Sequence, residues 1–113
     1  MSQRAGHNPA KPWEFEHLRG FLPRLQAAHA NDLAALSDVA VGLAAVLQNP
    51  YAPPGIVSYE FRLPDAKPPG QRYVAELPHD WYITYVPVEW YPKPPIVYER
   101  VVFVESLNRH PLI

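Results

Sequence analysis

Apolar residues recur at helical spacing through the first half of this chain and alternate with polar ones through the second. Leu33, Leu36, Val39, Ala40, Leu43, Val46 and Leu47 fall at intervals that place them on one face of an α-helix. Asn31 is a good N-cap, and Asp32 suits the positive end of the helix dipole. Asn49-Pro50 ends the run, because the residue before a proline is pushed out of the helical region. The spacing therefore predicts a helix about 25 Å long at 1.5 Å per residue. Ahead of it, Leu22, Leu25 and Ala28 share a helical face. Pro23 is tolerated in a first turn, where its missing N–H has no partner to lose, so a short helix is expected from about Phe21 to His29. Trp13-Glu14-Phe15-Glu16 alternates and suits a short strand.

After the Pro/Gly-containing loop at 51–55 the period becomes two. In Ile56–Leu63, Val57, Tyr59, Phe61 and Leu63 are expected to face inward and Ser58, Glu60 and Arg62 outward. Arg72–Leu77 sets Tyr73, Ala75 and Leu77 on one side, and Pro78-His79-Asp80 forms a tight hairpin into Trp81. In Trp81–Tyr91, Trp81, Ile83 and Tyr85 share one face, and Tyr82, Thr84, Val86 and Val88 the other. In Ile96–Leu107, Val101, Phe103 and Leu107 fall on one face, with Val102 and Val104 opposite. Both faces are mostly apolar, so these two strands are expected in the middle of a sheet, at least partly covered on both sides. Pro92-Lys93-Pro94-Pro95 joins them as an antiparallel pair. The expected class is α+β: two N-terminal helices on one face of a four-stranded antiparallel sheet, with a short extra N-terminal strand. Residues 1–12 read as a flexible tail and 13–113 as a single domain.

The helix over Leu33–Leu47 has a second face that changes the picture. It offers Ala34, Ala35, Val41 and Ala45, and Asp38 is the only charge between Asp32 and Asn49. A face open to water usually carries more charge, so Ala34, Val41 and Ala45 are candidates for contact with a partner chain or a second copy. Trp90 and Tyr91, beside stiff prolines, form a second candidate docking element, because aromatics on a preordered loop lose little entropy on binding.

Composition mostly excludes. With no cysteine there is neither a disulfide nor a thiolate metal site. The formal net charge of −1 provides no global positive field for nucleic acid. No apolar run approaches the roughly 20 residues of a membrane span, and the N-terminus lacks a signal-peptide core, so a cytoplasmic location and no membrane partner are expected. The five histidines are scattered without ligand spacing, and no phosphate-binding glycine loop or hydrolase motif is present. No metal and no cofactor are expected. The 15 prolines gather at element edges, consistent with a folded chain whose loops are stiff.

The order strand, helix, helix, antiparallel strands resembles the RelE/ParE toxin superfamily of type II toxin–antitoxin systems. Leu47-Gln48-Asn49-Pro50 resembles the family's helix end, and Tyr59-Glu60-Phe61-Arg62-Leu63 the strand that follows. Asp80-Trp81-Tyr82-Ile83-Thr84-Tyr85 resembles its central strand, and Val101 to Arg109 its last strand and basic turn. The resemblance spans Trp13 to His110. It implies a ribosome-dependent messenger-RNA endonuclease or a gyrase inhibitor, held by a cognate antitoxin. In the endonuclease case Arg109 and Arg72 would hold phosphate, while His110 or Tyr82 moves protons, since cleavage by a 2′-hydroxyl needs a base, an acid and cations. His79 beside Asp80 is a further acid–base pair in a hairpin. The chain departs from the family pattern in carrying Tyr82 where an arginine is usual, in having no C-terminal tyrosine, and in its acidic balance. The alternative implied by those departures is a non-catalytic protein-interaction module on the same scaffold.

Overall fold

The computed structural model describes residues 11–61 and 71–110. Nearly all of the expected tail, together with Arg62 and Leu63, lies outside these residues. The elements run β1 (Glu14–Glu16), a 3-10 turn (Leu18–Phe21), α1 (Leu22–Ala28), α2 (Leu33–Gln48), β2 (Ser58–Phe61), β3 (Arg72–Leu77), a second 3-10 turn (Pro78–Asp80), β4 (Trp81–Lys93) and β5 (Ile96–Asn108). The class is α+β, as expected.

The sheet has five strands in the order β1-β5-β4-β3-β2. Three successive antiparallel pairings carry the chain from β2 at one edge to β5. The chain leaves β1 through the helices and starts β2 at the far edge, so β5 returns beside β1 running the same way. Glu14, Phe15 and Glu16 accordingly pair in parallel with Val101, Val102 and Phe103. The expectation of a wholly antiparallel sheet is thus corrected to a mixed one. The Trp13–Glu16 segment, placed by alternation alone, is a sheet edge.

Helix α2 begins one residue later than its sequence suggested. Asp32, and not Asn31, is the N-cap, its Oδ1 accepting from the Ala35 N–H at 3.0 Å. At the other end Asn49 is extended, as the following proline demands. Leu25, Val39, Leu43 and Val46 descend from the helices onto Tyr73, Ala75, Leu77, Trp81, Ile83, Tyr85, Val102, Val104 and Leu107. Val39 and Val46 are fully buried, each worth about 1.5–3 kcal/mol relative to exposure. Gly42 permits close contact: a Cβ there would lie 2.9 Å from Pro78 Cδ.

Two inward faces differ from expectation. Thr84 pairs with Ser106 but Tyr85 with Val104, so Glu105 is an extra residue in β5. Such a bulge reverses the alternation beyond it. Leu107 therefore joins Val102 and Val104 under the helices, and Val101 and Phe103 remain on the opposite side with Val86 and Val88. Val57 is 61% and Tyr59 39% exposed, at the edge of the sheet formed by β2.

Candidate functional site

Two clusters of polar and aromatic side chains stand out, at opposite ends of the long β4–β5 hairpin. The first lies where β4 starts and β5 ends. The Trp81 indole N–H donates to His29 Nε2 at 2.9 Å, and Arg109 Nη2 reaches the same nitrogen at 3.1 Å. Both partners can only donate, so His29 accepts at Nε2 and carries its proton on Nδ1. The Arg109 guanidinium lies 4.6 Å from the centre of the Trp81 ring and donates through Nη1 to the His79 carbonyl at 2.9 Å. His79 Nε2 in turn contacts Asp38 Oδ2 of α2 at 2.9 Å. His79 and Asp80 reach the positions they hold through left-handed backbone, with φ of 62° at each. The result is a staple that ties the end of α1, the side of α2 and the β3–β4 turn to the C-terminal end of β5.

The second cluster belongs to the far half of the hairpin. β3 pairs with β4 only as far as Tyr85, and β1 with β5 only at Val101–Phe103, so the hairpin beyond them is a two-stranded arm. Tyr98 and Phe103 are five positions apart, which a straight strand would separate by about 16 Å. Their ring centres are 4.9 Å apart. Arg100, in left-handed backbone at φ 51°, lies between them, and there the arm bends back over the sheet. Tyr91 and Tyr98, cross-strand partners, stack at 6.1 Å. Beneath the bend is a hollow of about 280 Å³, lined among the described residues by His17, Tyr91, Lys93, Tyr98, Phe103, Val104 and Glu105. Glu105 is held by Arg72 Nη2, and Arg72 is a buried side chain whose Nη1 finds no hydrogen-bond partner. At the tip, Ile96 and Val97 are exposed.

The sequence-derived acid–base set is not brought together. Arg109 lies over Trp81 on the helix side of the sheet. Arg72 is on the side that carries the Glu105 bulge. Tyr82 faces away from the helices, near Tyr59, whose phenol is pushed above its ordinary value by burial, then by the Glu76 carboxylate and Tyr82. His110 is exposed. No hydrogen bond or ion pair joins any two of these four among the described residues. Asp80 is exposed, and His79 pairs with Asp38 instead.

The docking candidates divide. Ala34 and Val41 are exposed on α2, Val41 at 68%. Ala45 is buried, and so is Ala35; the inward face of α2 is wider than the large residues alone suggested. Trp90 and Tyr91 are half-buried, Tyr91 against Tyr98, and the exposed apolar groups of the arm are Ile96 and Val97. Sequence reasoning missed His29, His17, Tyr98 and Glu105. A signal existed for Tyr98, since Tyr91 and Tyr98 lie equally far from the Pro94-Pro95 turn and must face each other once the register is set.

Among the described residues, no group of three or more His, Asp or Glu is arranged to hold a metal ion, and no helix is long and apolar enough to cross a membrane. No protein family, curated protein or solved structure matches this chain.

Proposed function

We propose that this chain is a non-catalytic protein-interaction module and that a second copy of the chain docks on the outer face of α2. The observation that carries this reading is the composition of that face. Leu33, Ser37, Val41, Ala44 and Gln48 are all exposed, Leu33 at 79%. They follow one another at intervals of four, four, three and four, which is a continuous seam along the helix. Asp38, the only charge on the helix, is engaged by His79. Small residues on the seam allow two helices to approach closely, and an antiparallel pairing sets their dipoles in opposition. A self-complementary patch is what a two-fold dimer requires, and a formal net charge of −1 gives two copies little mutual repulsion.

Sedimentation velocity across a wide concentration range tests this. The wild-type chain is expected to dimerise, and the double variant Leu33→Glu/Val41→Glu to remain monomeric with an unchanged circular dichroism spectrum. A wild-type protein that stays monomeric at the highest concentration overturns the reading.

A second reading is a toxin-like protein of the RelE/ParE type, bound by an antitoxin and acting on translation or on gyrase. It is favoured by the order strand, helix, helix, four strands and by a basic residue, Arg109, directly after the last strand. Growth arrest on overproduction, relieved by co-expression of a neighbouring small reading frame, would select it. Unimpaired growth rejects it.

A further inference from the structure

We propose that the hollow under the bent arm binds a small aromatic acid, of one or two rings with a single carboxylate. Size comes first. A cavity of about 150 Å³ admits benzene. The 280 Å³ here therefore accommodates a bicyclic ring with a short side chain.

The walls then set the chemistry. Phe103, Tyr91 and Tyr98 supply ring surface, already arranged with one stacked and one edge-on contact. A planar ring inserted among them gains the offset and edge-to-face contacts that aromatic groups prefer. The charges are unequal. Lys93 has no acidic partner among the described residues. The carboxylate in the wall, Glu105, is neutralised by Arg72, whose side chain is nine-tenths buried. With that pair cancelled, the wall retains the Lys93 ammonium and the His17 imidazole, both donors to an anion. Glu105 keeps acceptor capacity for a ring N–H or O–H. A ligand that meets all three demands has a flat apolar ring, one negative charge and one donor on the ring. The α2 seam takes no part in this site, so the proposal does not depend on the docking reading.

Three probes that share a ring separate charge from shape: indole-3-acetate, its neutral amide and the cationic tryptamine. Calorimetric titration of the full chain is expected to show the acetate binding about tenfold tighter than the amide, the size of one charge-assisted contact, with tryptamine weakest. Lys93 is exposed, so Lys93→Met should fold normally, and it is expected to remove the difference between acetate and amide. Tyr98→Ala is expected to weaken acetate and amide by a similar factor. Equal affinity for acetate and amide, a preference unaltered in Lys93→Met, or no binding at millimolar probe overturns the proposal. If Tyr98→Ala unfolds, the Lys93→Met comparison decides alone.

Discussion

Replacing Arg109 by alanine distinguishes a structural staple from a phosphate-binding cation. The guanidinium makes two contacts of known type: it lies 4.6 Å from the Trp81 ring centre, and it donates to the His79 carbonyl at 2.9 Å. At an exposed site the first is worth about 0.5–1 kcal/mol. The second, a net hydrogen bond open to solvent, adds about 0.5–1 kcal/mol. The contact to His29 Nε2 adds little more, because Trp81 already satisfies that nitrogen. Arg109→Ala should therefore destabilise the fold by about 1–2 kcal/mol, a fall in Tm of roughly 4–8 °C for a domain of this size. Arg109→Lys should recover less than half, because an ammonium cannot stack flat on the indole while reaching the carbonyl. The assay is urea unfolding followed by far-ultraviolet circular dichroism, with Trp81 near-ultraviolet signal as the local reporter. Stability changed by less than about 0.3 kcal/mol, with the near-ultraviolet spectrum intact, would refute the staple.

Three other outcomes follow from the packing of the core. Tyr85 donates its buried hydroxyl to the Pro50 carbonyl at 2.6 Å, so Tyr85→Phe leaves a buried acceptor unpaired and should cost about 1–3 kcal/mol in urea unfolding at unchanged m-value. Burial, and then Tyr73, raises the Tyr85 phenol well above its ordinary value of 10.0. The neutral form is thus favoured in the folded state, its stabilisation is complete below pH 10.0 and is lost as pH rises beyond it, by about 1.4 kcal/mol per pH unit for this group. Spectrophotometric titration should show a tyrosine that ionises only as the chain unfolds, and Tyr85→Phe should lose that late step. Gly42→Ala gains about 1 kcal/mol of helix propensity but sets a methyl group against the rigid Pro78 ring, so the net change in chemical denaturation should be destabilising by about 1 kcal/mol.

The helices were legible because their signals are local. Leu36, Val39, Leu43, Val46 and Leu47 carry the period, although Leu33 and Ala40, expected on the same face, are exposed, and Asn49-Pro50 carries the stop. The inward face of β4 was legible for the same reason: Trp81, Ile83 and Tyr85 alternate without interruption and all lie under the helices. Alternation places Leu107 on the wrong face because a bulge leaves no mark in a strand's own composition; Glu105 is recognised as extra only against β4. The parallel edge at β1 escaped notice because its partner is more than eighty residues away and only three residues take part. Ala45 reads as an outer-face residue because small residues beside a large-residue stripe give little indication of which side they occupy, and in the fold it is buried. Arg109, His79 and Asp80 read as chemistry because basic and acidic residues near a strand end are compatible with either catalysis or a staple. The contacts that Arg109 makes, to His29 and to Trp81, join residues far apart in the sequence.

The proposed seam between two copies on the outer face of α2 is tested most directly by a distance measured across it. The chain has no cysteine, so Asn49→Cys carries a single nitroxide label at an exposed position just past the helix end and outside the seam. In an antiparallel seam centred between Ala40 and Val41, the two labels of a dimer lie between about 20 and 35 Å apart, from the helical rise and the usual spacing of packed helices. Pulsed dipolar spectroscopy of the concentrated protein should return a distance in that window, and the signal should vanish in the Leu33→Glu/Val41→Glu background. An intermolecular distance outside the window, or no dipolar coupling at any concentration, would contradict it.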